Sequence, residues 1–166
     1  MAAHLAGDPP PAPPADCPAG ERAAGAFVTV RSPGHVLRGC IGHLAPDRPL
    51  ADVVRSMAVA AATRDPRFPP VTADELTELT FEISVLSAPQ AATPDQVVVG
   101  RDGVIVQRSG QQGVLLPAVA VEYGWSAAEL LTAACRKAGL PPGAWQDRDG
   151  ETELQVFQTD VFGEEE

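Results

Sequence analysis

The sequence predicts an α+β fold in which helices pack on an antiparallel sheet. Residues 26–31 and 79–86 are rich in β-forming residues and place apolar side chains at alternate positions, as half-buried strands do. Residues 50–61 repeat their apolar side chains with the period of a helix instead. A chain of 166 residues with 45% apolar content can bury a core, and we expect one domain.

The first 24 residues differ in composition from the rest of the chain because they contain six prolines. Proline fixes φ and lacks a backbone donor, so this stretch is predicted to be a disordered leader. The sequence therefore predicts a leader over 1–24, a domain over 25–162 and an acidic tail over 163–166.

A hairpin is predicted to open the domain. Residues 26–31 form its first strand, Ser32-Pro33-Gly34 turns the chain, and residues 35–41 return as the second strand. Gly42 is expected to end this return strand.

A helix is predicted after the hairpin. Asp47 is expected to cap it, with Pro49 in its first turn, and Asp65-Pro66 ends it because a residue before proline avoids the α region. Its apolar face consists of Leu50, Val53, Val54, Met57, Ala58 and Ala61.

The remaining elements are marked by capping boxes and short β-rich runs. Residues 72–75 and 126–129 each match a capping box, which predicts a short helical turn and a longer helix. Gly139 is placed to terminate the second of these helices. Strands are predicted over 79–86, 97–99, 103–107, 114–116 and 152–159.

Charge and cysteine content restrict the function classes. With 12 basic and 22 acidic residues the net charge is −10, which weighs against nucleic acid as a partner. Three cysteines are too few and too irregular for a disulfide framework. The N-terminal residues lack the apolar run of a signal peptide, so a cytoplasmic location is expected.

Residues 37–42, Leu37-Arg38-Gly39-Cys40-Ile41-Gly42, resemble the signature hexapeptide of the AMMECR domain family. Six further segments follow the family's pattern, in its order. They are Phe27-Val28-Thr29, Asp65-Pro66-Arg67-Phe68-Pro69-Pro70, Ile83-Ser84-Val85-Leu86, Gly103-Val104-Ile105, Leu115-Leu116-Pro117 and Lys137-Ala138-Gly139-Leu140. The resemblance covers roughly residues 25–160.

The resemblance implies an α+β structure with antiparallel sheet and two unequal lobes. It also implies an association with Memo-like and radical S-adenosylmethionine proteins, and thus an accessory role in a modification pathway. No cofactor is predicted. Two features depart from the family: a helix usually precedes the first strand, where this chain has its leader, and Ala118 stands where relatives commonly carry glutamine.

The signature hexapeptide supplies two candidate catalytic residues. In a regular strand Arg38 and Cys40 share one face, while Leu37, Gly39 and Ile41 face the core. A guanidinium beside a thiol favours the thiolate, so Cys40 is a candidate nucleophile and Arg38 a candidate anchor for thiolate or substrate. The alternative is a cysteine packed under the helix of residues 50–62, with Arg38 in a structural ion pair.

Candidate binding residues are Gly39, Gly42, Asp65 and Arg67. Proline neighbours stiffen the loop of Asp65 and Arg67, which either lines a cleft with Arg38 and Cys40 or forms a local ion pair.

No metal site is predicted. His35 and His43 lie at odd separations from Cys40 and so face away from it in a regular strand, and neither CxxC nor HxxxH occurs.

Three functions follow as hypotheses: an accessory module that docks a partner, an enzyme that depends on Cys40, and an RNA-binding protein. The last would use an arginine cluster made of Arg38, Arg64 and Arg67, against the acidic total. In the accessory hypothesis, Cys40→Ser leaves binding intact and Arg38→Glu disrupts it.

Overall fold

The computed structural model describes residue 7, residues 18–147 and residues 150–164. The chain forms two compact units: the first runs to Leu86 and resumes at Asp160, and the second comprises Ser87–Thr159. The strands are β1 Ala26–Ser32, β2 Val36–His43, β3 Thr80–Leu86, β4 Gln90–Ala91, β5 Gly103–Arg108, β6 Gln111–Leu115, β7 Glu153–Phe157 and β8 Thr159–Gly163. The helices are α1 Pro18–Glu21, α2 Leu50–Thr63, α3 Pro117–Tyr123 and α4 Ala127–Lys137. Within the described residues no helix is both long enough and apolar enough to cross a bilayer.

The predicted α+β class is confirmed, with one four-stranded antiparallel sheet in each unit. The order of strands is β2-β1-β3-β8 in the first sheet and β4-β7-β5-β6 in the second. Helix α1 shows regular structure ahead of residue 25, while residues 1–6 and 8–17 of the predicted leader lie outside the described residues, as does Cys17. The predicted boundaries of leader, domain and tail stay a prediction.

The predicted hairpin forms from β1 and β2. Their connection is a 3-10 turn over Pro33–His35, with Gly34 at φ 77° and His35 at φ 60°. Glycine reaches the left-handed region at no steric cost, whereas histidine adopts it less readily. The turn delays the start of the return strand by one residue, and β2 runs from Val36 to His43, through Gly42, which was wrongly expected to end it.

Helix α2 packs on β1 and β2, as its apolar periodicity predicts. A Cβ on Gly39 would overlap the carbonyl oxygen of Ala61, so this glycine lets the helix approach the strand closely. The predicted cap was wrong. The N-cap residue is Pro49, which makes no side-chain cap bond, and the Asp47 carboxylate lies 2.7 Å from Nε2 of His43 instead.

The first capping box forms only in part. The N–H of Thr72 donates to the Glu75 carboxylate over 2.8 Å, but residues 73–78 form successive turns and no helix. Val71 and Leu79 close this segment onto a buried cluster with Val30, Ala61 and Ala62.

The second unit follows its predictions more closely. Ser126 and Glu129 form the complete capping box of α4, and Gly139 follows the helix at φ 75°. A Cβ on Gly113 of β6 would overlap the carbonyl oxygen of Ala134, so strand and helix again meet closely at a glycine. The core consists of Val97, Val104, Val106, Ala120, Leu130, Leu131, Ala134, Cys135, Ala138, Leu140 and Ala144.

In the second half one predicted strand does not form, and a helix and a strand were not predicted. Residues 97–99 form no strand, because the buried Asp102 carboxylate accepts the N–H of Val98 over 2.9 Å and holds a turn there. Helix α3 was not predicted, although Pro117 opens it and Gly124 ends it at φ 65°. The predicted last strand over 152–159 corresponds to β7, but β8, which follows it and belongs to the other sheet, was not predicted.

Candidate functional site

The signature hexapeptide lies on β2, which is an edge strand of the first sheet. Val30 of β1 pairs with Gly39, and the next residue, Arg31, pairs with Leu37. Arg38 is therefore the extra residue of a β-bulge, and a bulge redirects side chains. The regular alternation that placed Arg38 beside Cys40 does not hold across this point.

Arg38 joins β2 to the segment that follows α2. Its Nε and Nη2 donate to the two carboxylate oxygens of Glu75 over 3.0 and 3.3 Å, and its Nη1 donates to the carbonyl of Pro69 over 2.8 Å. The hydrogen bond from Arg38, with those from Thr72, lowers the pKa of Glu75 to about 2. The described hydrogen bonds of Arg38 thus form an ion pair and do not involve Cys40.

Cys40 is partly exposed and takes part in three described hydrogen bonds. Its Sγ accepts the hydroxyl of Thr29 over 3.3 Å. Its N–H donates to Oδ2 of Asp65 over 2.9 Å, and its carbonyl oxygen accepts Nη2 of Arg67 over 3.4 Å. The neighbouring residue Gly39 is the one that meets α2, so Cys40 is not packed under that helix.

Asp65 and Arg67 form a two-bond ion pair at the edge of β2. Nε and Nη2 of Arg67 donate to the two carboxylate oxygens of Asp65 over 2.9 and 2.6 Å. This pair lowers the pKa of the buried Asp65 carboxyl, with further help from the N–H of Cys40. It raises the pKa of Arg67, and the Cys40 side chain adds a smaller electrostatic contribution in the same direction. Arg67, and not Arg38, is therefore the cation near the thiol.

The predicted binding glycines are occupied by packing. Gly39 lies against Ala61, and a Cβ on Gly42 would overlap the ring of Phe27. Neither position needs a ligand to explain it. The structure thus places Cys40, Asp65 and Arg67 together. The contacts described for Arg38, Gly39 and Gly42 are instead packing and ion-pair contacts within the fold.

The histidines do not complete a metal or acid–base site with Cys40. His43 bonds Asp47, and His35 lies in the turn between β1 and β2. In the described part of the chain, no three side chains of histidine, cysteine, aspartate and glutamate are grouped so that they could hold a metal ion.

The predicted RNA-binding cluster is partly neutralised. Arg38 and Arg67 each bind a carboxylate, and Arg64 is exposed at the end of α2. Ion pairing lowers the positive potential that a phosphate backbone requires.

Two contributors to the site were missed. Thr29 reaches Cys40 only through the strand register, which no local pattern reveals. Glu75 was assigned to a capping box, and its second role became visible only in the ion pair with Arg38.

The AMMECR1 family profile matches residues 1–162. The chain belongs to the AMMECR1 family. It is 46% identical to a protein of Methanothermobacter thermautotrophicus over 148 residues, which cover 85% of this chain and 76% of that protein. It is 45% identical to a protein of Thermococcus gammatolerans over 151 residues, which cover 85% and 73% of the two chains. The fold resembles the crystal structure of the uncharacterized protein PH0010 from Pyrococcus horikoshii, with a TM-score of 0.92 and 38% identity over 99% of this chain and 85% of that one.

Proposed function

We propose that this AMMECR1-family chain is an accessory module that docks a partner protein through the 65–70 platform, which we define as residues 65–70 held against strand β2. The observation that carries this proposal is the pair of anchors on the loop. Asp65 binds the N–H of Cys40 at one end, and Arg38 binds the carbonyl of Pro69 at the other. A loop fixed at both ends loses little conformational freedom on binding, which favours recognition.

The platform presents a charged and an apolar group side by side. The side chain of Arg67 is more than half exposed, and its guanidinium lies 5.4 Å from the centre of the Phe68 ring. Arginine is among the residues that are enriched at the centres of protein interfaces. A partner that places a carboxylate and an apolar side chain there would be complementary.

Docking fits the platform better than catalysis because a base for Cys40 is lacking among the described contacts. The carboxylate of Asp65 already accepts four hydrogen bonds, and its lowered pKa makes it a poor proton acceptor at neutral pH. The association implied by the family resemblance suggests a Memo-like or a radical S-adenosylmethionine protein as the partner.

A matched pair of variants tests the proposal. Arg67 and Arg101 are 54% and 55% exposed, and each binds an aspartate, Asp65 or Asp102, that is 2% exposed. Truncating either arginine should lower the free energy of unfolding by a similar amount. A difference between the two variants in their affinity for the partner then reports on the platform.

We expect Arg67→Ala to weaken binding to a purified Memo-like or radical S-adenosylmethionine protein by about tenfold or more, as loss of an interface centre does. Arg101→Ala and Cys40→Ser should leave the affinity near that of the unmodified chain. The measurement is isothermal titration calorimetry with both partner proteins from the same genome. Equal effects of Arg67→Ala and Arg101→Ala, or no binding of either partner, would overturn the proposal.

A cysteine enzyme is the second candidate, and one observation favours it. The hydroxyl of Thr29 donates to Sγ of Cys40 and the guanidinium of Arg67 donates to the carbonyl oxygen of the same residue, so a hydrogen-bond donor and a cation lie beside a partly exposed cysteine. The test is the pH dependence of alkylation at Cys40 in a Cys17→Ser, Cys135→Ser background. A rate that reaches half its plateau below about pH 7, and moves to higher pH in Arg67→Ala, would support the enzyme. Modification only after unfolding would exclude it.

A further inference from the structure

The two edge strands of the first sheet, β2 and β8, differ in whether their outer backbone groups are covered. At the β2 edge the N–H of Cys40 is bound by the carboxylate of Asp65, so the loop covers this part of the strand. Strand β8 forms the opposite edge, and no described strand pairs with its outer side. An open edge offers backbone donors and acceptors to an added strand.

The register of β8 shows which backbone groups are available. The N–H of Glu164 donates to the carbonyl of Phe81 over 3.2 Å, so Glu164 faces β3. In an antiparallel ladder alternate residues bond the same neighbour, and Phe162 and Asp160 therefore face β3 as well. The N–H and C=O groups of Val161 and Gly163 point to the open side.

Two adjacent apolar side chains of this edge, which point to opposite faces of the sheet, are exposed. Val161 and Phe162 are 56% and 60% exposed. The register places Phe162 opposite Ile83, so the apolar face of the sheet continues to the edge, whereas α2 packs on β1 and β2. Natural edge strands are commonly protected by lysine, proline or a covering loop. Strand β8 contains neither lysine nor proline.

The negative charge around β8 indicates which kind of segment could pair with it. Asp160 and Glu164 are exposed, and residues 159–166 contain four acidic residues and no basic one. A second copy of the chain would bring the same negative charges to the pairing, and like charges across a strand pair destabilise it. We propose that β8 is a docking site for an extended, basic segment of a partner protein, which adds as a fifth strand with its basic side chains on the face of Asp160 and Glu164 and its apolar side chains beside Val161 on the opposite face.

The experiment uses an acetylated seven-residue peptide of alternating lysine and valine, with a glutamate–valine peptide as the charge control. Binding to the full chain is measured by fluorescence anisotropy, and its position by backbone amide shifts in NMR. We expect the lysine peptide to bind, the glutamate peptide not to bind, and the shifts to centre on β8.

Two variants at one position separate the backbone contribution from the side chain. Val161→Pro removes the outward N–H and spares the bonds to β3, so the affinity should fall about tenfold or more. Val161→Thr keeps that N–H and should change the affinity less than about threefold. If Val161→Pro does not fold, Asp160→Lys replaces it and should also weaken binding of the lysine peptide.

Equal affinity for the two peptides would overturn the proposal, and so would amide shifts centred away from β8. Undiminished affinity of the lysine peptide for Val161→Pro, or for Asp160→Lys where that variant is used, would overturn it as well. A dimer of the unmodified chain that Val161→Pro dissociates in sedimentation would also overturn it, because the edge would then belong to a second copy. The platform at β2 takes no part in these measurements.

Discussion

The carboxylate of Asp65 should be the group that holds the 65–70 platform on β2, and Asp65→Ala tests this directly. The substitution removes the acceptor of two backbone N–H groups, those of Cys40 and Arg67, and of the two side-chain bonds from Arg67. A buried donor left without a partner costs about 1–3 kcal/mol. The side-chain pair adds roughly 0–1 kcal/mol because Arg67 is more than half exposed and water can replace Asp65.

The expected loss of unfolding free energy is therefore about 3 kcal/mol for Asp65→Ala. For a chain of this size that corresponds to a fall in Tm of roughly 6–12 °C. Urea unfolding at pH 7 measures the free energy, and a scan measures Tm. Asp102→Ala is the control, since Asp102 also binds an exposed arginine and accepts one backbone N–H, whereas Asp65 accepts two.

Amide hydrogen exchange distinguishes the two variants. Both variants should lose stability, but only Asp65→Ala should lose protection of the Cys40 N–H beyond the global change. A loss below about 0.5 kcal/mol in Asp65→Ala would refute the reasoning. Unchanged protection at Cys40 would do the same, because the carboxylate would then not be the group that holds the loop.

Two further predictions concern the contacts that carry the platform. The pKa of Glu75 is lowered to about 2 in the fold, so its stabilising bond with Arg38 is complete above the ordinary value of 4.5 and is lost as the pH falls from there to about 2. The difference in urea midpoint between the unmodified chain and Glu75→Gln should thus narrow between pH 5 and 3, and a constant difference would contradict this. Gly39→Ala should destabilise the chain by about 1–3 kcal/mol or prevent folding, because the added methyl group overlaps Ala61. Gly143→Ala is the control, because a Cβ there meets only ordinary contacts. In the same urea assay its free energy of unfolding should stay within about 1 kcal/mol of that of the unmodified chain.

Part of the fold follows from local patterns. Helix α4 was predicted because Ser126 and Glu129 satisfy each other's backbone within a single turn. Strands β1 and β3 were predicted from alternation over at least six residues. The turn at Val98 was not, since three consecutive valines favour a strand unless a buried carboxylate, here that of Asp102, binds their backbone.

The candidate site was predicted by composition but not by geometry. Cys40, Asp65 and Arg67 were singled out and do lie together. The partnership of Arg38 with Cys40 failed because one bulged residue breaks the alternation on which it depended. The position of a bulge depends on the pairing of two strands, which the periodicity of either strand cannot show.

The sequence alone thus determined the fold class, the helix bounded by its capping box and the resemblance of its motifs to a known family. Each of these is carried by patterns within short segments of the chain. The tertiary structure decided which arginine lies near the thiol, which glycine meets a helix and which edge of the first sheet stays open. These features depend on contacts between residues that are distant in sequence, such as Cys40 with Asp65 and Arg38 with Glu75. Such contacts depend on which residues of neighbouring strands are paired and on where the loops lie against them. The pattern of residues along one segment does not show this pairing.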